Sequence, residues 1–484
     1  MTFDEYSDHD ATGLAALVAS GQVTPAELLD TAITATEAAN PVLNFVAQPL
    51  FDRARAAARG GFTGPFAGVP FLIKDLHMAV AGERSGEGSR LFADWRPDYT
   101  STLVTRFAAA GFNTFAKTTT PEFGLTVTTE SAAYGLTRNP WAHDRSAGGS
   151  SGGAAAAVAA RVVPAAHASD GGGSIRCPAA ACGLFGLKPS RGRVPMGPRA
   201  TEGWFGLTAN HVVTRSVRDS AAILDAIHGT ETGSRYAAPT PVRPFLNEVG
   251  RDPGRLRVAL MLAPITGVPV DPQVAAATRD AARLLESLGY HVTEAAPVLD
   301  AWGLTSAMTA TVGVSMAHDV AVRLKELGRS EAGDDIETVP QMWVHIGKRT
   351  TAVELATANA TFQTAAIALA DFMADYDIIL SPVFAQPVIG LGAIDLSPAD
   401  MATWTANITG YSPFTALANW TGVPAMSLPL AHDAGGVPIG IMATGRYGAE
   451  GLLLALAAQV ETAAPWAARR PSAVGRSAAD ATID

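Results

Sequence analysis

Between Gly148 and Ser174 the chain carries two glycine clusters, Gly148-Gly149-Ser150-Ser151-Gly152-Gly153 and Gly171-Gly172-Gly173-Ser174, joined by the alanine-rich run Ala154 to Ala168. Segments this poor in side chains bring backbone against backbone, and they leave N–H groups open to converge on one point. The run between them predicts a helix from about Gly153 to Arg161. It is interrupted by Arg161 and Pro164 and falls short of the roughly 20 apolar residues that cross a bilayer. The fold must therefore gather two serine-bearing turns around one short buried helix.

The flanking chain alternates strand and helix. Thr24-Pro25-Ala26-Glu27 supplies a cap, a proline at the first helical position and a glutamate at the third, which predicts a helix to about Ala39 that Asn40-Pro41 ends. Val69 to Leu76 reads as a strand whose far end delivers Lys74-Asp75. Thr102 to Ala110 reads as a helix capped by Gly111, and Phe112 to Ala116 as the next strand. Leu256 to Met261, the helix Pro272 to Ser287 and Tyr290 to Thr293 repeat the rhythm. Trp302 to Met373 is mostly helical and suits a cover. Ile378 to Leu380, Ala425 to Leu430 and Ile439 to Ala443 are strand-like, Gly451 to Glu461 is a closing helix, and the tail after Pro471 looks disordered. With no internal repeat or long linker, one large α/β domain accounts for this better than several small ones.

Composition narrows the partners. Of 484 residues 48% are hydrophobic and 17% charged, enough for a large core, and the formal charge of -10 comes without any Lys/Arg-rich run. Nucleic acid and anionic membrane are poor partners for such a chain, and a neutral small molecule is a better one. Cys177 and Cys182 have neither a disulfide framework nor a metal-pair spacing, which points to a reducing cytoplasm. Met1 to Asp10 has four acidic residues and no apolar stretch, so no secretory signal is expected.

Amide hydrolysis needs a nucleophile, a route for its proton and donors aimed at the developing oxyanion. The triple glycine offers the donors and Ser174 the nucleophile, while Ser150 caps the alanine helix and Lys74 ends a strand. Gly148 to Gly152 also matches the elbow motif of lipase-type hydrolases, with His167, His211 or His432 as base. An elbow needs a strand before it, and Trp141 to Ala147 is polar and turn-like. A phosphate loop at Gly148 to Gly153 would lack its G-K-[ST] ending.

Taken together, several segments resemble the amidase signature family along nearly the whole chain. They are Gly68-Val69-Pro70-Phe71-Leu72-Ile73-Lys74-Asp75, Pro121-Glu122-Phe123-Gly124, Asn139-Pro140-Trp141, Gly148 to Gly153, and Ser169 to Arg176. Gly186-Leu187-Lys188-Pro189, Thr214 to Asp219, Thr421 to Ala425 and Gly436 to Gly440 continue the pattern. The resemblance implies a large mixed β-sheet covered by α-helices on both faces. It implies one amidase domain over 1–484, with 68–220 as catalytic core and about 300–420 as a helical and loop cover.

The family pattern further implies a Ser174 acyl-enzyme, Ser150 on a cis peptide bond as proton relay, and Lys74 as base. Lys74 would have to fall from about 10.4 towards roughly 7 to 8. Burial among Val69, Phe71 and Ile73 would do this, with Asp75 turned to another partner. The N–H groups of Gly171, Gly172, Gly173 and Ser174 would form the oxyanion hole. Ser151, Asp170 and Arg176 would support it, the last two as a structural pair or as backbone anchors. Many members have Thr where Gly171 stands, so that position should be more permissive here.

Cys177 stands where tRNA-amidating transamidase subunits tend to carry Gln, which counts against a glutaminase-subunit role; it reads as a buried small hydrophobe. Thr126, Thr128, Trp404, Tyr411 and Phe414 are the expected pocket for an apolar or aromatic acyl group. The Gly197-Pro198 pair and the ending Pro465 to Pro471 look like the bacterial group that contains the 6-aminohexanoate cyclic-dimer hydrolases. A linear or cyclic amide, an anilide, a carbamate or an ester would suit one mechanism. The family implies no metal, no organic cofactor and a homodimer.

Overall fold

The computed structural model describes residues 1–471, so the tail beyond Pro471 lies outside the described residues. Its frame is one mixed eleven-stranded sheet. In chain order the strands are β1 (Val46–Pro49), β2 (Pro70–Lys74), β3 (Asn113–Thr118), β4 (Ala165–Asp170), β5 (Phe185–Lys188) and β6 (Ala209–Thr214). They continue as β7 (Arg257–Leu260), β8 (His291–Glu294), β9 (Ile378–Pro382), β10 (Ala425–His432) and β11 (Pro438–Gly445). Their order across the sheet is β1-β3-β2-β4-β6-β5-β10-β11-β9-β7-β8. The β3-β2-β4 and β9-β7-β8 runs are parallel and the other pairings antiparallel. The strands from the chain's first 214 residues form one block of the sheet and those from residue 257 onward form the other. The two blocks join at the β5–β10 seam, where Ala425 pairs with Lys188 and Ser427 with Gly186.

The helix that begins at Pro25 has its expected capping box but runs to Leu43, through Asn40-Pro41 rather than stopping there. Pro41 loses its own N–H and crowds the carbonyl one turn back, but it lies in the last turn, and Asn40 closes the end: its C=O accepts from Asn44 N–H and its Oδ1 from the N–H groups of Phe45 and Val46. Asn44 takes the left-handed conformation there. The turn-like reading of Trp141 to Ala147 is corrected: Ala142–Ser146 is a short strand, paired with Arg138–Asn139 in a small ribbon apart from the main sheet.

The alanine helix, α1 (Gly152–Ala159), is buried along its whole length. Its glycines explain how it gets in: a Cβ on Gly153 would stand 2.4 Å from Thr119 Oγ1, and one on Gly152 2.4 Å from Thr129 Oγ1. Pro272–Ser287 forms the expected helix, and the stretch expected as a cover contains three helices: α2 (Ala301–Glu326), α3 (Thr338–Arg349) and α4 (Ala352–Phe372). Among the described residues no helix is long and apolar enough to cross a membrane.

Candidate active site

β2 is apolar up to its last residue and buried throughout, so it carries Lys74 into the interior with no exposed surface. Strand alternation places Lys74 on the face of Leu72, opposite Phe71 and Ile73. The ammonium is therefore not enclosed by Val69, Phe71 and Ile73, as expected, but meets the serine turns. Lys74 Nζ donates to Ser150 Oγ at 2.7 Å and to Ser169 Oγ at 3.0 Å. Burial pushes its pKa down to about 7, against the smaller upward pull of Asp170 and Glu87. Asp75 is turned away: its carboxylate accepts from Lys117 Nζ at 3.2 Å, from Gly86 N–H at 3.0 Å and from the Tyr134 hydroxyl.

The Gly149-Ser150 peptide bond is cis, as is Gly197-Pro198. The turn is held from outside: a Cβ on Gly149 would lie 2.1 Å from Thr128 O, and Thr129 Oγ1 donates to Gly148 O while accepting from Gly152 N–H. Ser151 Oγ donates to Ser169 O at 3.2 Å and accepts from Ser169 N–H at 3.3 Å. That clamp fixes the end of β4 against the first serine turn.

The second turn hangs on Asp170. Its carboxylate accepts from Gly173 N–H at 2.8 Å and Ile175 N–H at 3.2 Å, from Arg176 at 2.9 and 3.0 Å, and from Asn419 Nδ2 at 2.9 Å. Burial would raise the Asp170 carboxyl, but Arg176, with Lys188 and Asn419, outweighs it and holds the pKa at about 2. Because Asp170 takes the Gly173 N–H, the expected oxyanion set loses that donor and reduces to Gly171, Gly172 and Ser174. Gly171 is not permissive either: a Cβ there would meet the Trp204 ring at 2.7 Å. Ser174 Oγ has no hydrogen-bond partner among the described residues, and the residue is 8% exposed.

None of the three histidines serves Ser150. His167 Nδ1 accepts from Lys74 N–H and its Nε2 faces Asn210 Oδ1, His211 Nε2 meets Ser220 Oγ, and His432 packs on Trp141. Burial drives the pKa of both His167 and His211 down to about 3. Cys177 is buried, and burial pushes its thiol up to about 12, the opposite of an activated nucleophile.

A cavity of about 1260 Å³ reaches this region through Phe123 and Trp204, although Lys74, Ser150 and Ser174 do not line it. Phe123 and Trp204 form its inner wall: Gly124, next to Phe123, lies against Ser150 Oγ, and the Trp204 ring covers Gly171. The five expected pocket residues do not line it. Trp404, Tyr411 and Phe414 belong to the buried core, where Tyr411 stacks on Phe384 at 4.1 Å, and Thr128 Oγ1 donates to Ile394 O. Thr126 is buried as well, within reach of Thr128 at 3.5 Å. The sequence reading missed Ser169 and Trp204, and it took in α2 only as part of a helical block, without singling out the residues that face the cavity.

A mixed sheet that carries a buried lysine to paired serines beside a glycine turn is suited to a hydrolase, and the relatives make it one of carbon–nitrogen bonds other than peptide bonds. The chain belongs to the amidase family, whose model matches residues 27–454. It is 38% identical over 476 residues to the 6-aminohexanoate-cyclic-dimer hydrolase of Paenarthrobacter ureafaciens, covering 96% of both chains. The solved structure of a 6-aminohexanoate cyclic dimer hydrolase superposes with a TM-score of 0.93 at 37% identity, over 97% of this chain and 99% of that one. A bacterial aryl acylamidase of the amidase signature family gives 0.85 at 28% identity, over 95% and 96%.

Proposed function

We propose that the protein hydrolyses a small amide through a Ser174 acyl-enzyme, with Ser150 and Lys74 as the proton relay. The observation that carries this is the Lys74 ammonium, buried with two hydroxyls and, among the described residues, no carboxylate in contact. Neutral Lys74 takes a proton from Ser150, which takes one from Ser174 as Oγ attacks the carbonyl. The N–H groups of Gly171, Gly172 and Ser174 receive the oxyanion. The proton returns through Ser150 to the leaving nitrogen, and water repeats the sequence to free the acid.

Phe123, Trp204 and Met308 make the surroundings of the scissile bond apolar, which supports an aryl or alkyl group there. Anilides, carbamates, esters and cyclic amides such as the relative's named substrate suit the same steps. On this reading 68–220 is the catalytic core, 300–420 the cover, and the enzyme a cytoplasmic homodimer. Intact-mass trapping with a panel of anilides, carbamates and esters tests the chemistry. Wild type gains the acyl mass and Ser174→Ala does not; an acylated Ser174→Ala overturns the assignment.

A further inference from the structure

The cavity holds a charge that the proposed chemistry leaves unused. Helix α2 touches the glycine turn through Met308, whose Cε lies 3.2 Å from where a Cβ on Gly172 would stand, and it lines the cavity from Val314 to Glu326. Among the described residues Asp319 is the cavity carboxylate without a hydrogen-bond or ion-pair partner. The others are engaged: Glu87 by the His77 N–H and Ser85, Asp94 and Glu326 by Arg323, Asp98 by Arg199, and Glu202 by Arg235.

Arg323 stands one helical turn beyond Asp319, the spacing at which the two would ordinarily pair. Instead it gives Nε to Leu91 O at 3.1 Å and its other nitrogens to Asp94 at 2.5 Å and Glu326 at 3.3 Å. Its plane also lies over the Phe92 ring. The pairing is thus forgone inside a cavity walled by Phe92, Trp95, Phe123, Trp204 and Met316. The imidazoles of His77 and His318 are near Asp319, but neither makes an ion pair with it. A substrate that displaces water from these walls strands the Asp319 carboxylate unless it brings the opposite charge.

We propose that Asp319 is the specificity-determining residue of this cavity and receives a protonated amino group borne by the substrate amide. This rests on the Ser174 reading above, and it replaces the expectation of a wholly neutral substrate. From Met308 to Asp319 the helix rises about 16 Å. The ammonium therefore sits far from the scissile bond, on an elongated spacer.

The test uses p-nitroanilides and N-alkyl amides with spacers of increasing length, ending in an ammonium, a methyl or a carboxylate, assayed at pH 8. In wild type, kcat/KM favours the ammonium over the methyl terminus by about tenfold at the best spacer length. In Asp319→Asn the ratio falls to near unity, and in Asp319→Lys it turns toward the carboxylate. A wild type indifferent to the terminal charge, or an Asp319→Asn enzyme that keeps the preference, overturns the proposal. Acyl trapping on methyl-terminated anilides reports Ser174 separately, so the two readings fail independently.

Discussion

Lys74 and Lys117 stand on neighbouring parallel strands, both without exposed surface, with Lys117 in register with Ile73. The pleat sends them to opposite faces of the sheet, and there they meet different company. Lys117 Nζ finds the Asp75 carboxylate and Ser85 Oγ; Lys74 Nζ finds two neutral hydroxyls. The same residue type at the same depth is paired with a carboxylate in one place and, in the other, held by neutral hydroxyls with its pKa brought down to about 7. What separates them is whether a carboxylate was provided. A depressed pKa is not enough by itself: burial also brings Lys188 down to about 7, yet its Nζ donates to Pro189 O and, among the described residues, meets no hydroxyl.

The contrast breaks most sharply on removing each amine. Lys74→Met is expected to lower amide kcat/KM by about 1,000-fold or more, ester turnover less, while the urea midpoint stays level or rises. Lys117→Met strands the buried Asp75 carboxylate and is expected to cost about 3–5 kcal/mol in urea unfolding, with far less loss of rate per folded molecule. If both variants lose stability alike and rate alike, the distinction is wrong.

A second test is pH. Only neutral Lys74 accepts a proton, so kcat/KM for an uncharged amide should climb about tenfold per unit below pH 7 and level off above it. The carboxyl of Glu87, raised to about 7 chiefly by burial, titrates in the same range. Its charge raises the Lys74 pKa, so Glu87→Gln should move the limb to lower pH; a limb centred near 10, where an ordinary lysine titrates, would remove Lys74 from the role of base. The smallest effect expected is for Ser169→Ala, which removes one of two hydroxyl partners: a loss of about 1 kcal/mol, or some fivefold in kcat.

The strand–helix alternation and the alanine helix were legible because their patterns are local, apolar runs and glycine clusters, whereas the mixed sheet and the roles given to Lys74, Ser150 and Ser174 came only through the resemblance to the amidase signature family. The cavity was not legible. Trp404, Tyr411 and Phe414 have the composition of a pocket wall, but which aromatics face a void depends on how the cover docks, and here they face the core. Ser169 was hidden as one more residue of a glycine-rich motif, and only the approach of β4 to β2 makes it a partner of Lys74. Asp319 carried no local mark, since its significance lies in what Arg323 does instead of pairing with it. The oxyanion set came out one donor too large because a buried carboxylate claims Gly173 N–H, which no spacing reveals.

The β5–β10 seam has a consequence for how the molecule is made. Lys188 waits for Ala425, so during synthesis one edge of β5 stays unpaired for about 240 residues, roughly 10 to 50 s at ordinary rates of translation. An open, apolar edge is a template for association with another chain. Yield in a cell should therefore follow the speed of synthesis and the supply of chaperones more closely than it follows the stability of the finished fold.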